Sequence, residues 1–249
     1  MAKPAHCSPE EWAVRCDLAA LYRLAAMFGW DDLIFTHISA RVPGPEHHFL
    51  INPYGMMFDE ISASHLVKVD ARGEKVEPSD YPVNPAGFII HSAVHEARED
   101  ALYVMHLHTV AGIAVSAQRE GLLPLSQHSL FPLASLSYHD YEGVALNPDE
   151  KARLVHDLGG TALMILRNHG LLTLGRSAAD CFLKMFMLQR ACEIQIAAQS
   201  GGSELVRIPP AILAGIRAQS EAVLKNSGAA LTWPGLLRRL ARHNPGHDD

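Results

Sequence analysis

The stretch that decides the fold is Ala101-Leu102-Tyr103-Val104-Met105-His106-Leu107-His108-Thr109. Its apolar, β-favouring residues predict a buried strand, and the two histidines stand where that strand ends. Residues two apart on a strand face the same way, ~6.6 Å apart along the chain, so both imidazoles can reach one cation. A third histidine, His169, lies in Asn168-His169-Gly170 at another predicted strand end, where Gly170 permits a tight turn.

This set of histidines has two interpretations. Two histidines at strand spacing plus a remote third are typical of a catalytic Zn²⁺ or similar ion with an open coordination position. The alternative is that His106 and His108 are ordinary hydrogen-bonded histidines at the edge of the core. The chain contains 15 histidines beside only 21 lysines and arginines. Since histidine binds metals and moves protons near neutral pH, this composition favours a metal enzyme.

Outward from this strand, strands and helices are mixed along the chain. Segments 34–40, 48–51 and 66–70 are β-rich and predict an antiparallel meander. Capping and periodicity predict helices over 8–28, 84–98, 110–119, 152–158 and 177–199, strands over 161–167 and 171–174, and two short helices near 210–225 and 234–242. The mixture predicts an α/β fold, a three-layer α/β/α domain with a central mixed, mainly antiparallel sheet. We expect a single domain over residues 1–249, with 203–249 as a C-terminal helical tail.

Composition excludes several classes of protein. Apolar residues make up 48% and charged residues 19% of the chain, which excludes disorder as the main state. The net charge of −6 excludes a broad basic surface for nucleic acid. We find neither an apolar run of the length of a membrane helix nor an apolar signal-peptide core. Four cysteines do not suffice for a disulfide scaffold, so we expect a cytoplasmic protein with reduced thiols.

Five motifs in order carry a resemblance to the class II aldolase/adducin family, in its adducin-like bacterial branch. They are Thr36-His37-Ile38-Ser39, Ile51-Asn52-Pro53-Tyr54-Gly55, the segment 83–93, His106-Leu107-His108-Thr109 and Asn168-His169-Gly170. The resemblance extends over about residues 18–199. It implies an α/β/α domain assembled as a homotetramer with active sites at subunit interfaces. It also implies a divalent metal held by His106, His108 and His169. Three imidazoles favour Zn²⁺, with Mn²⁺, Ni²⁺ or Fe²⁺ as alternatives.

The sequence departs from the sugar-phosphate aldolases of that family at two sites. Those enzymes carry a catalytic, metal-binding Glu where this chain has Gly87. The hydroxyl and amide donors of their phosphate site are also largely replaced, so we predict a small, non-phosphorylated substrate. Its carboxylate could bind His37, Ser39 or Arg41. Tyr54, beside Gly55, could stack on it or hydrogen-bond to it.

Two histidines are candidates for the proton transfer that the Glu performs in the sugar-phosphate aldolases. His91 shares a helix face with Gly87 and could approach the metal, whereas Glu96 is one step off that face. His128 lies near the position of a Tyr proton donor in the aldolases and could exchange a proton near pH 7. The alternatives are that His91 packs against the sheet, that His128 is a surface histidine, and that water or substrate fills the free coordination positions.

These features predict a metal-dependent carbon–carbon lyase acting on a small hydroxy or keto acid through a metal-stabilised enediolate. The reaction would be aldolase-like cleavage, as in an aldehyde-lyase, or decarboxylation. Loss of the Glu disfavours the aldol route more, because decarboxylation needs no initial base on the substrate carbon. Two alternatives are a non-catalytic adducin-like assembly or binding module and metal-assisted hydrolysis. The retained histidines oppose the first, and the resemblance opposes the second.

Overall fold

The structure, a computed structural model, describes residues 7–143, 149–216, 218–219 and 228–249. Its strands form one seven-stranded sheet in the order β3-β2-β1-β4-β7-β6-β5. The strands are β1 (His37–Arg41), β2 (Phe49–Ile51), β3 (Val67–Val69), β4 (Tyr103–Leu107), β5 (Leu136–His139), β6 (Leu163–Leu166) and β7 (Gly170–Gly175). The pair β5–β6 is parallel and the other five pairs are antiparallel. The predicted mixed, mainly antiparallel sheet is confirmed.

The decisive strand lies at the centre of this sheet. β4 pairs with β1 on one side and with β7 on the other, and His106 stands opposite His37 and Leu172. Because directly paired residues point to the same face of a sheet, His37 and His106 share one face. The predicted meander is also confirmed, since β1, β2 and β3 pair consecutively and antiparallel.

Helices cover both faces of the sheet. They are α1 (Pro9–Met27), α2 (Pro85–Ala97), α3 (Val110–Ser116), α4 (Gln127–Leu133), α5 (Glu150–Leu158), α6 (Ala178–Ser200), α7 (Pro210–Leu213) and α8 (Gly228–His243), with a 3₁₀ turn at Phe58–Glu60. The prediction missed α4 and β5 and extended α3 too far. α8 packs on α1 and α6, and part of the helix predicted near 210–225 falls outside the described residues.

Alternate residues of β4 enter two apolar cores, one on each face. Tyr103, Met105 and Leu107 pack with residues of α1 and α6. Val104 packs on the opposite face with residues of α2 and α5. His106 therefore faces the α2 layer. This two-sided burial completes the α/β/α architecture, and among the described helices none is long and apolar enough to cross a membrane.

Candidate metal centre

The structure brings the three predicted metal-binding histidines together. His106 is the penultimate residue of β4, His108 comes directly after the strand, and His169 lies in the turn between β6 and β7. The Nε2 atoms of His106 and His108 are 3.0 Å apart. One ligand atom from each of the three residues lies within 4.8 Å of the others. The spacing of two residues thus brings the imidazoles of His106 and His108 to one point, as the sequence predicts. The β6–β7 turn supplies the third imidazole.

A tight turn places His169. Asn168 adopts a left-handed φ of 55°, and the backbone N–H of His169 donates to the Leu166 carbonyl over 3.1 Å. The next residue must be a glycine, Gly170. A Cβ at this position would lie 2.5 Å from the Leu107 carbonyl oxygen and 3.1 Å from the His108 ring. A side chain at position 170 would therefore collide with the strand and the site together.

The outer nitrogens of the paired imidazoles have fixed partners. Nδ1 of His106 donates to the Leu171 carbonyl over 3.1 Å, and Nδ1 of His108 lies 3.0 Å from the Asp32 carboxylate. Since both partners only accept, the protons reside on Nδ1 and the two Nε2 lone pairs face each other. Two lone pairs at 3.0 Å repel unless an electrophile lies between them. The donor set therefore fits a divalent cation, and the hydrogen bonds that orient the two imidazoles are already formed.

Burial keeps the imidazoles of His106 and His169 in the form that binds metals. Burial, with His108 adjacent, lowers the pKa of His169 to about 4. Burial also holds the pKa of His106 well below 6.5. Both rings are therefore neutral at pH 7, and a neutral imidazole is the form that ligates a metal.

A cavity of about 520 Å³ opens onto the cluster. Its lining residues are polar or aromatic for the most part: Asp32, Phe35, His37, Tyr54, Asn84, Gly87, Ile90, His106, His108, Tyr141, Gly143 and His169. Of the residues predicted to bind substrate, His37 and Tyr54 line it. Asp32, Asn84 and Tyr141 were not predicted from the sequence, because nothing in their local patterns distinguishes them from ordinary loop residues.

Ser39, Arg41 and Gly55 do not line the cavity. Ser39 is buried and bonds with His91 and His95. The Arg41 guanidinium donates to the backbone carbonyl of His95 and lies 5.6 Å from the centroid of the Phe49 ring. Ser39 and Arg41 thus hold α2 against the sheet, outside the cavity lining, and their binding of substrate stays a prediction.

The two predicted catalytic histidines also lie away from the cavity lining. His91 is buried between α2 and the sheet, where its Nδ1 lies 2.6 Å from the Ser39 hydroxyl, so the packed alternative describes its position. His128 is the second residue of α4, whose first turn is capped by Ser126. Direct participation of either residue in proton transfer stays a prediction.

Gly87, where the resemblance expects a Glu, lines the cavity. A Cβ at position 87 would lie 2.5 Å from atoms of the His37 ring. The space that a side chain at position 87 would enter is therefore filled by an imidazole from β1.

Comparison with known proteins agrees with this architecture. Residues 16–196 match the family described as Class II Aldolase and Adducin N-terminal domain. A Pseudomonas aeruginosa protein that carries the name of a class 2 aldolase is 63% identical over 246 residues, which cover 98% of this chain and 95% of that protein. Mouse alpha-adducin is 45% identical over 206 residues, covering 80% of this chain but 28% of the adducin.

A solved structure of a Pseudomonas syringae aldolase II superfamily protein superimposes with a TM-score of 0.92 at 52% identity, covering 97% of each chain. L-fuculose 1-phosphate aldolase of Glaciozyma antarctica, at 24% identity, shares the fold with a TM-score of 0.81 over 98% of this chain and 96% of that chain. The predicted resemblance is thereby confirmed: the chain belongs to the class II aldolase and adducin N-terminal domain family.

Proposed function

We propose that this protein is a metal-dependent carbon–carbon lyase that acts on a small, non-phosphorylated hydroxy or keto acid. The observation that carries the proposal is the facing pair of Nε2 lone pairs at 3.0 Å, each fixed by an outer hydrogen bond. His106, His108 and His169 would hold the ion, with Zn²⁺ first among the candidates. When bound, the ion supplies Lewis acidity that stabilises negative charge developing on substrate oxygens.

The cavity supports a small substrate without a phosphate. Its volume of about 520 Å³ suits a small organic molecule. Among the described residues that line it, none is lysine or arginine, and Asp32 adds a negative charge. Within this described lining, a phosphate dianion would therefore meet no lysine or arginine side chain. Tyr54 stands in the lining, where its hydroxyl could hydrogen-bond to a carboxylate.

We also propose a cytoplasmic homotetramer. An apolar groove outside the metal centre, lined in part by Phe28, Trp30, Val110 and Ile196, supports contact between subunits. Val110 there is 87% exposed, and contact with another subunit would remove its apolar surface from water. The buried thiols of Cys181 and Cys192 are compatible with a reducing compartment. Light scattering coupled to gel filtration measures the subunit number directly.

Elemental analysis of protein purified without an affinity tag tests the metal centre. We expect one ion per chain, lost in the double variant His106→Ala/His108→Ala. A matched control, His156→Ala/His243→Ala, removes two histidines exposed on helix surfaces and should retain the ion. Metal-loaded protein is then screened against hydroxy and keto acids. CO₂ release identifies decarboxylation, and two carbon fragments identify aldol cleavage.

A second function is favoured by one observation, the 45% identity to alpha-adducin over 80% of this chain. In that case the chain would be a non-catalytic assembly or binding module. Absence of bound metal in the wild type, even after addition of Zn²⁺ or Mn²⁺, would reject the lyase and leave this module as the better account.

A further inference from the structure

Two half-exposed aromatic side chains, those of Phe35 and Tyr141, line the cavity beside the histidine cluster. Phe35 is 49% exposed and Tyr141 is 54% exposed. A single exposed apolar residue is common on protein surfaces, but two aromatic rings in the lining of one cavity form a local apolar surface. Because contact between apolar surface and water is unfavourable, a ligand group that covers both rings would be stabilised there.

The Tyr141 ring lies next to a proposed metal ligand. Its centroid is 6.3 Å from that of the His169 ring, and the two ring planes meet at 76°. Gly143, in the same loop after β5, also lines the cavity, and a Cβ there would meet no atom within 4 Å. The part of the cavity beside Tyr141 therefore has free space for a ligand group.

Polar contacts fix the chain on both sides of Tyr141. The strand β5 ends at His139, whose Nδ1 lies 2.8 Å from the Asp157 carboxylate in α5. The residue after Tyr141 is Glu142, which accepts a hydrogen bond of 2.6 Å from Nε of Arg153, also in α5. Tyr141 is thus attached to α5 from both directions along the chain, so its position is set before a ligand binds.

Phe35 is connected to the cluster through a turn. Its backbone N–H donates to the Asp32 carbonyl over 2.9 Å, and the Asp32 carboxylate lies 3.0 Å from Nδ1 of His108. One turn therefore carries both an aromatic ring and the carboxylate that orients a proposed metal ligand. The loop before β1 and the loop after β5 each contribute one ring to the cavity, so a molecule bound at the cluster lies near aromatic surface.

The size of the cavity agrees with a ligand that contains a ring. Its volume of about 520 Å³ lies within the range of about 300–1,000 Å³ that is typical of sites for drug-sized molecules. A three-carbon hydroxy acid would leave much of this volume to water. Tyr54 and Ile90 add further apolar surface to the same lining.

We propose that Phe35 and Tyr141 form a binding site for an aryl group, and that the substrate is an aryl-substituted hydroxy or keto acid. The acid end of the molecule faces the histidine cluster, and its ring contacts Phe35 and Tyr141. Aromatic rings favour one another in edge-to-face and offset-stacked contacts beyond the effect of buried area alone. The acid end of the ligand rests on the proposed function, whereas the aryl site does not.

Saturation-transfer NMR on metal-free protein tests the aryl site independently of the metal. The probes are benzyl alcohol and ethanol, which carry a phenyl and a methyl group respectively. We expect stronger transfer to benzyl alcohol than to ethanol, and a reduced transfer to benzyl alcohol in Phe35→Ser and in Tyr141→Ser. Tyr141→Phe keeps the ring and should retain the transfer. Leu231→Ala, which removes an exposed apolar side chain from α8, should also retain it. Transfer to benzyl alcohol that is absent in the wild type, or unchanged in both serine variants, overturns the proposal.

Titration calorimetry with Zn²⁺-loaded protein tests the complete ligand. The probes are mandelate and lactate, two hydroxy acids that again differ by phenyl against methyl. We expect the wild type to bind mandelate roughly tenfold more tightly, as burial of the additional apolar area would give. The double variant Phe35→Ser/Tyr141→Ser should lose most of this preference. Equal affinity of the wild type for the two acids overturns the proposal. Failure to load Zn²⁺, or binding of neither acid, would reject the proposed function, and the NMR result on metal-free protein would still decide the aryl site.

Discussion

Replacing Asp32 with alanine removes the carboxylate that accepts the His108 Nδ1 proton at 3.0 Å. Carboxylate partners of metal-binding histidines fix the ring and raise its basicity, and their loss costs about 10–100-fold in metal affinity. The Asp32 side chain is 45% exposed, so water can replace part of the lost bond. We therefore expect the lower end of that range, about tenfold or about 1.4 kcal/mol.

Competition between the apoprotein and a chromogenic chelator for Zn²⁺ near neutral pH measures this loss. Asp31→Ala removes the neighbouring carboxylate and serves as the matched control. Asp32→Asn should lose less affinity than Asp32→Ala, because the amide oxygen still accepts the Nδ1 proton without the charge. A Zn²⁺ affinity of Asp32→Ala equal to that of the wild type would refute the reasoning, as would an equal loss in Asp31→Ala.

Three further outcomes are expected. Gly87→Ala places a Cβ 2.5 Å from the buried His37 ring and should lower the free energy of unfolding by about 1–3 kcal/mol, measured in urea. Gly170→Ala meets the Leu107 carbonyl oxygen at 2.5 Å and should lower both stability and Zn²⁺ affinity; retention of both would contradict the argument for the tight turn. Burial lowers the pKa of His37 to about 3 and of His169 to about 4 from 6.5, so the unfolded chain gains protons first on acidification. The urea midpoint of the metal-free protein should therefore be constant above about pH 6.5 and fall between there and pH 4; a midpoint independent of pH over this range would count against neutral buried rings.

The pairing of His106 with His108 was predictable from the sequence because it depends on a local rule, whereas the choice of His169 as third ligand rested on the family resemblance. Residues two apart on a strand share a face, and this rule alone aligns His106 with His108. Asp32 was not accessible, because its contact with His108 spans 76 residues and no local pattern marks it. The positions of Ser39 and Arg41 outside the cavity lining were not predictable for the same reason, because they depend on contacts with a helix that is distant in sequence. Strand alternation places Ser39 on the face of His37, but it does not tell which part of that face a helix covers.

The fold was predicted where periodicity is strong and missed where it is weak. The long helix α6 and the strands β4 and β7 carry clear apolar patterns, and each was predicted within a few residues. α4 is a seven-residue helix with Pro132 inside it, and proline is disfavoured in the interior of a helix. β5 follows α4 and lies at the edge of the sheet. Most of its residues are only partly buried, so its sequence shows a weaker pattern of apolar residues.

The position of the cluster between β4 and the β6–β7 turn has a mechanical consequence. His106 and Leu171, whose backbone holds its Nδ1, are 65 residues apart in sequence. An ion bound by His106, His108 and His169 is therefore a reversible cross-link that closes a long loop of the unfolded chain, as a disulfide does. It would join the two halves of the sheet at their central seam. Loading the metal would thus stabilise the domain against unfolding at the proposed metal centre.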